Sequence, residues 1–291
     1  MIILPSSGSA LCTTEVWLIG PGNCKNVASK RTAMDYGLDA PGVVRGLVIL
    51  GCLCALGAAA VRLFGLGQPI LSALLFSPAP GLLFTAAWMI WSSRVGKLRM
   101  VAKLLSLYAW RGDEVVLDIG CGRGLAAIEA ARRAGSGYVV GIDRWRGRDL
   151  SGNSPDAART NARAAGVVTR ISLVTADATQ LPFAMNAFDV VVTTITVHNI
   201  ATRLERCHAI NEALRVLRPG GTLLIFDILY TPRYARAAVA AGAQVVRLSA
   251  PSMLWALPGW SLVIRKSGTQ SSCCSRASVS TTGAASRSTC R

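Results

Sequence analysis

The sequence predicts an α/β protein built on a doubly wound, mostly parallel sheet and preceded by a hydrophobic two-helix hairpin. Three observations carry that prediction. Five apolar, β-branched runs recur between residues 114 and 228 with a helix-length segment between each pair, the alternation that a parallel sheet with crossover helices requires. The first run ends in closely spaced glycines, the kind of turn that opens a ligand crevice at the carboxyl end of a strand. Ahead of the runs lie two uncharged apolar stretches, Gly46–Val61 and Pro69–Trp91, where the excess behind an apolar fraction of 52% is concentrated.

Residues 1–42 read as a poorly ordered N-terminal extension of mixed Gly, Ser, Pro and charged residues, with Met34 as a second possible start. The opening Met1-Ile2-Ile3-Leu4 reaches a proline too soon for a signal peptide. Residues 43–92 are expected to form two transmembrane helices. The first run is short for a span of about 20 residues, but Val43, Val44, Leu63 and Phe64 extend it if Arg45 and Arg62 snorkel. Pro78 and Pro80 interrupt the second run, and Trp88 and Trp91 stand where an interfacial aromatic belt belongs. Arg94, Lys97, Arg99 and Lys103 follow, so the positive-inside rule keeps both hairpin ends and all that follows in the cytoplasm. The expected location is therefore the cell membrane, multi-pass, with a cytoplasmic catalytic domain. A pair of buried helices in a soluble protein is the alternative.

Residues 93–266 form the expected catalytic domain. It opens on an amphipathic segment in which Leu98, Val101, Leu104, Leu105 and Tyr108 repeat at helical spacing. Strands follow at Glu114–Ile119, Tyr138–Ile142, Ile171–Thr175, Asp189–Ile195 and Thr222–Ile228. Ser154-Pro155 opens one helix that Gly166 closes, and Thr231-Pro232 opens another that Gly242 closes. Between them Thr202 and Glu205 make a capping box, with Leu204, Cys207, Ile210, Leu214 and Leu217 as the buried face and Arg218-Pro219-Gly220-Gly221 as the stop. Gln244–Leu248 and Trp260–Arg265 lie close enough to pair as a terminal antiparallel hairpin. The apolar link Ser252–Trp260 either lines a pocket, dips into the membrane surface or is a buried turn. Residues 267–291, rich in Ser, Thr and Arg and without an acid, read as a disordered tail.

A net charge of +16, from 31 basic against 15 acidic side chains, suits an anionic membrane surface. No RNA-binding signature or aromatic–basic stripe accompanies it, which argues against nucleic acid. The nine cysteines include no CxxC pair, so neither a zinc site nor a disulfide framework is indicated.

The chemistry concentrates at strand ends. Val116-Leu117-Asp118-Ile119-Gly120-Cys121-Gly122-Arg123-Gly124 runs from a strand through alternating glycines into a helix, so that a ligand can lie against bare backbone. A dinucleotide site would space its glycines GxGxxG. Here they fall as GxGxG, and the preceding Asp118 places a negative charge better suited to a cationic sulfonium than to a pyrophosphate. Asp143 ends the second strand, where a carboxylate accepts hydrogen bonds from a ribose diol. Asp177-Ala178 ends the third, where a carboxylate and a backbone N–H read the edge of an adenine or make a plain turn.

Together with Phe188–Val192 and Leu217–Gly221, these motifs match in order those of the class I methyltransferases, which the chain resembles from about Leu98 to Lys266. The resemblance implies a Rossmann-like methyltransferase fold, a seven-stranded sheet whose last strand is antiparallel, S-adenosylmethionine as donor, and no metal. Met34–Arg45, Ser92–Arg99, Trp110–Glu114, Ser151–Asn153 and His198–Ile200 are similar to a narrower bacterial group of membrane-tethered methyltransferases. The donor contacts expected are Asp118, Gly120, Cys121, Gly122, Gly124, Asp143, Asp177, Ala178 and Thr193. No Asn-Pro-Pro-Tyr or Asp-Pro-Pro-Tyr follows the fourth strand, which argues against amino-group methylation of adenine or glutamine. Thr193–Asn199 stands there instead. His198 is either a base for a hydroxyl, thiol or amine or a shaper of the loop, Asn199 is its partner in orienting the acceptor, and His208 reads as a surface or packing residue. The acceptor expected is a small molecule or lipid-like compound at the cytoplasmic membrane face. The alternatives are an NAD(P)-dependent oxidoreductase and a donor-binding membrane scaffold that transfers nothing.

Overall fold

The computed structural model describes residues 34–64, 69–147, 149–253 and 256–268. The expectations placed on residues 1–33 and on the tail beyond 268 lie outside that range. The strands are β1 (Val115–Ile119), β2 (Tyr138–Asp143), β3 (Ile171–Thr175), β4 (Phe188–Thr194), β5 (Leu217–Asp227), β6 (Gln244–Leu248) and β7 (Trp260–Arg265). They make one seven-stranded sheet in the order β3-β2-β1-β4-β5-β7-β6. The first five strands are parallel, and β7 runs antiparallel to both of its neighbours. The strand order reverses between β1 and β4, and a crevice opens at such a switch point. The expected terminal pair therefore forms, but β7 inserts beside β5 and leaves β6 as the exposed edge.

Central strands covered on both faces read as unbroken apolar runs, and here two cores result. Leu117, Ile119, Val191 and Ile225 face α7 (Arg203–Val216) and α8 (Thr231–Ala240). Val116, Val190, Val192 and Leu224 face α4 (Lys97–Leu105) and α5 (Leu125–Arg133). Ser154 caps α6 (Pro155–Ala164) by accepting from the Ala157 amide at 3.1 Å. The Thr202–Glu205 capping box is present. Two details depart from expectation. Leu204 is 63% exposed, because α7 buries the face through Ala209, Ile210, Ala213 and Leu214 instead. Leu217–Gly221 also belongs to β5, since Gly220 N–H donates to the Lys266 carbonyl and Lys266 N–H to that of Gly221.

Ahead of the sheet, α1 (Pro41–Leu63) packs against α2 (Pro69–Phe76) and α3 (Pro78–Trp91) as a hairpin. Contact is close enough that a Cβ on Gly51 would sit 2.9 Å from Leu83. Pro78 turns the second helix at Ser77 without ending it. A π-helical turn at Ser92–Gly96 carries the helix directly into α4, so the amphipathic segment expected as a separate element continues the second apolar helix. Pro41–Leu63 and Pro69–Leu105 are both long and apolar enough to cross a membrane, and only 17% of each apolar window is buried. A helix pair in the core of a soluble protein would be mostly covered.

Residues 34–40, expected to be poorly ordered, pack against the α/β domain as an extended strap. Asn161 accepts from the Asp35 amide at 3.0 Å and donates to its carbonyl at 2.7 Å. The Ser151 amide donates to the Leu38 carbonyl at 3.0 Å, the Ser151 hydroxyl oxygen accepts from the Leu38 amide at 2.7 Å, and the Ala40 amide donates to the Asp149 carbonyl. The Ser151-Gly152-Asn153 segment thus acts as the strap's dock.

Candidate active site

The cradle begins where β1 ends. Gly120 (φ +74°), Gly122 (φ +52°) and Gly124 (φ +87°) all adopt left-handed backbone, a conformation costly for other residues. A Cβ on Gly120 would also stand 2.2 Å from the Thr196 side chain. The turn is tied to β2, since the amides of Gly120 and Cys121 both donate to the Ile142 carbonyl, at 2.8 and 2.9 Å. Gly120, Cys121 and Gly122 line a cleft of about 920 Å³. Gly124 does not line it. It starts α5, and its Cα instead approaches Ala158 of α6. Burial raises the Cys121 thiol well above its ordinary range, which keeps it protonated.

Asp143 reaches across from β2. Its Oδ2 accepts from the Gly122 amide at 2.8 Å, and its Oδ1 from the Trp145 amide at 2.6 Å and from Asn153 Nδ2 at 3.3 Å. A carboxylate has about four lone-pair sites, so this one retains capacity. Beside it, buried Asn153 Oδ1 has no hydrogen-bond partner, and both residues line the cleft. A buried acceptor left unmatched is costly. Two acceptors side by side, one of them unmatched, fit the diol of an adenosine-type ribose. Asp177 and Ala178 line the cleft as well. Asp177 Oδ1 closes a turn by accepting from the Thr179 amide and hydroxyl, and its Oδ2 pairs with Arg144 at 3.1 Å. Chiefly because of the Thr179 amide, its carboxyl lies below the ordinary range. The turn expected of Asp177 is therefore present, and the residue also borders the cleft.

Two expected donor contacts do not reach the cleft. Asp118 is fully buried on the face of β1 that α5 covers. Neither of its oxygens meets full hydrogen-bond geometry, and although the Ala127 amide helps the charged form, burial pushes the carboxyl up to about 7. Buried in this way, it makes no contact with the cleft. Thr193 lies inside β4 on the opposite face with its hydroxyl unpartnered. Thr194, Ile195 and Thr196 reach the cleft instead, because side chains alternate along a strand.

His198 follows in the short helical turn Val197–Asn199 and lines the cleft, with Asn199 exposed at its rim. Its Nδ1 lies 2.5 Å from Asp227 Oδ1, and its amide donates to Asp227 Oδ2 at 3.1 Å. Asp227 ends β5 with a side chain only 1% exposed, against 13% for His198. The Ile228 amide donates to its Oδ1 at 2.8 Å and the Tyr234 hydroxyl to its Oδ2 at 3.4 Å. Burial and the nearby Asp227 hold the Tyr234 phenol far above its usual range, so it stays a donor. A buried carboxylate on Nδ1 fixes the imidazole with Nε2 as the free acceptor. Asp227 was not among the residues singled out from sequence, although Phe226-Asp227 closes a strand just as Ile142-Asp143 does. His208 is exposed on α7, as expected.

The far wall comes from the N-terminal strap and the hairpin. Tyr36, Asp39, Gly42, Val43, Lys97, Met100 and Val101 all line the cleft. Lys97, 8% exposed, donates to Asp39 Oδ1 at 3.1 Å and to the Tyr36 carbonyl at 3.0 Å, and Ser93 donates to Asp39 Oδ2 at 3.0 Å. These bonds latch the strap to the root of the second helix. On the other side of that root, Trp88 stacks on Trp91 and donates to the Ala256 carbonyl at 3.2 Å. The apolar link between β6 and β7 therefore rests against the helix. Among the described residues, no group of three His, Cys, Asp or Glu side chains is placed to hold a metal.

Residues 116–221 match the methyltransferase domain family. A ubiquinone/menaquinone biosynthesis C-methyltransferase from Roseobacter denitrificans is 33% identical over 132 residues, 45% of this chain and 49% of that protein. A 27-O-demethylrifamycin SV methyltransferase from Amycolatopsis mediterranei is 36% identical over 149 residues, 51% of this chain and 50% of that one. The chain thus spans about half the length of the curated relatives it matches. Two solved structures share the fold at a TM-score of 0.50: the 4+2-cyclase SpnF, 20% identical over 58% of this chain and 80% of that one, and an O-methyltransferase family protein from Burkholderia thailandensis, 18% identical over 65% and 61%.

Proposed function

We propose that this chain, which matches the methyltransferase domain family over residues 116–221, is a class I, S-adenosylmethionine-dependent methyltransferase that methylates a small or lipid-like acceptor at a membrane face. When bound, S-adenosylmethionine supplies a methyl group on a cationic sulfur. In this reading Asp143 and Asn153 hold its ribose, Asp177 and Ala178 border its adenine, and the Gly120–Gly122 backbone leaves room for its amino-acid end. The observation that carries the reading is the His198–Asp227 pair. It opens onto the same cleft as the Asp143 cradle and leaves Nε2 free to take a proton from an acceptor hydroxyl, thiol or amine. Asp227 then stabilises the imidazolium, and the proton leaves to solvent. Alignment in the cleft supplies the larger part of the rate. Fold alone does not fix this chemistry, since a cyclase shares it.

Membrane placement rests on the two poorly buried apolar helices and the basic residues after them. Arg94, Arg99 and Lys103 then lie on the cytoplasmic side with the catalytic domain. The test is transfer of label from methyl-tritiated S-adenosylmethionine by the full chain in vesicles, incubated with the host's lipid extract and, separately, with its aqueous metabolites. A new labelled species in either fraction is expected. Donor binding without transfer to either fraction would favour the scaffold alternative, and nicotinamide cofactor binding in place of the donor would favour the oxidoreductase.

A further inference from the structure

The two walls of the cleft differ in chemistry. The sheet side offers carboxylates, an amide and bare backbone, a set suited to a polar nucleoside. The hairpin side offers Tyr36, Val43, Met100 and Val101. Its two charges, Lys97 and Asp39, pair with each other, and Lys97 also donates to the Tyr36 carbonyl, so the wall's remaining surface toward a second ligand is apolar. About 920 Å³ also stands near the top of the roughly 300–1,000 Å³ range of small-molecule pockets, enough for two ligands side by side.

The apolar wall continues out of the cleft. Val43, in the first turn of α1, is 54% exposed. A Cβ on Gly42 or Gly46 would meet nothing within 4 Å, and Ile49 and Leu53 follow on the same helical face, 54% and 60% exposed. Gly42, Gly46, Ile49 and Leu53 therefore lead from the cleft along the outward surface of a helix long enough to cross a bilayer, with exposed Arg45 beside them at the polar end. Charged side chains occupy the opposite rim at Arg144 and Glu205. Resting on the methyltransferase reading for the donor, we infer that the acceptor is a membrane-resident amphiphile whose linear apolar chain lies along Gly42, Val43 and Met100, with its polar head at His198. It enters sideways from the bilayer, so the hairpin forms part of the acceptor site as well as the anchor.

Gly42 allows a clean block, because the open space beyond it accepts a large side chain without disturbing a packed neighbour. The full chain is reconstituted in phosphatidylcholine–phosphatidylglycerol vesicles doped with a diazirine-bearing long-chain alcohol, irradiated, and mapped by peptide mass spectrometry. Donor binding is titrated on the same samples. Tyr36 and Met100, both sheltered from bulk lipid, are expected to be labelled along with lipid-facing Leu53. Gly42→Trp should lower the Tyr36 and Met100 labelling about tenfold while leaving Leu53 labelling and donor affinity unchanged. Label confined to Leu53 in a chain that binds donor would overturn the inference and leave the methyltransferase reading standing. Label at Tyr36 and Met100 without donor binding would support the apolar path and remove the methyltransferase reading.

Discussion

Replacing Asp227 by Asn tests the proton-accepting role of His198 at constant shape. The carboxylate is 1% exposed and receives the imidazole at 2.5 Å. An amide of the same size keeps one acceptor oxygen: with it on the Oδ2 side, the His198 N–H and the Tyr234 hydroxyl stay matched and the Ile228 N–H loses its acceptor, a local cost that the thermal melt reads. What changes is the ring. An amide N–H facing Nδ1 selects the other tautomer, which places the proton on Nε2 and leaves no base toward the cleft. General-base loss of this kind costs about 10²- to 10⁴-fold in turnover, equivalent to about 3 to 5 kcal/mol of barrier. Asp227 does not itself line the cleft, so donor affinity should change less than about twofold. The assay is initial-rate transfer of tritiated methyl to the labelled species at saturating donor, beside donor titration and a thermal melt. His198→Gln should match the loss, and the double variant should be no worse than either single one. Turnover within about threefold of wild type in a folded, donor-binding Asp227→Asn protein would refute the reasoning and leave catalysis to alignment alone.

Asp143→Ala should weaken donor binding at least about tenfold by titration, the loss of about 2 to 4 kcal/mol of charge-assisted hydrogen bonding; unchanged affinity would remove Asp143 from the donor site. Asp118 gives a stability prediction: its folded carboxyl is held up to about 7 while the unfolded one titrates near 3.8. The folded state therefore binds the extra proton, and stability falls as pH rises from about 4 to 7, by up to roughly 4 kcal/mol. Asp118→Asn should flatten that slope and raise the melting temperature above pH 7; parallel pH profiles for variant and wild type would contradict it. Lys97→Met removes the Asp39 ion pair and the hydrogen bond to the Tyr36 carbonyl, and should speed proteolysis between residues 34 and 40, with weaker donor binding, whereas Lys97→Arg should restore much of both. Full-length protein should stay with membranes through high-salt and carbonate washes, and release by salt alone would mean that the hairpin is not inserted.

The parts of the fold legible in the chain are those set by near neighbours. Alternating β-branched runs, the Ser154 and Thr202 caps and the Gly120–Gly122 turn each depend on a few consecutive residues, and all appear where their spacing places them. Asp143 was legible for the same reason, as an acid at the end of a strand. Errors of face came from elements whose neighbours lie far along the chain. Thr193 stands one residue short of the strand's exit, so a period of two sends it to the core and hands the cleft to Thr194 and Thr196. Asp118 is set under α5 by the same alternation, and Leu204 is turned outward because α8 and the sheet choose which face of α7 they cover.

By itself, then, the sequence determined the sheet, the glycine turn, the carboxylate at the end of the second strand and two helices long enough to cross a membrane, because each is written in a local period or a local backbone need. Only tertiary structure decided that Asp227 fixes His198 across 29 residues, and that Lys97 latches Asp39 across 58. It also decided that the strap and the hairpin root close the cleft. Those contacts depend on β5 lying beside β4 and on α4 packing over α5, arrangements that arise from burying two faces of one sheet and leave no periodic trace in the residues that meet there.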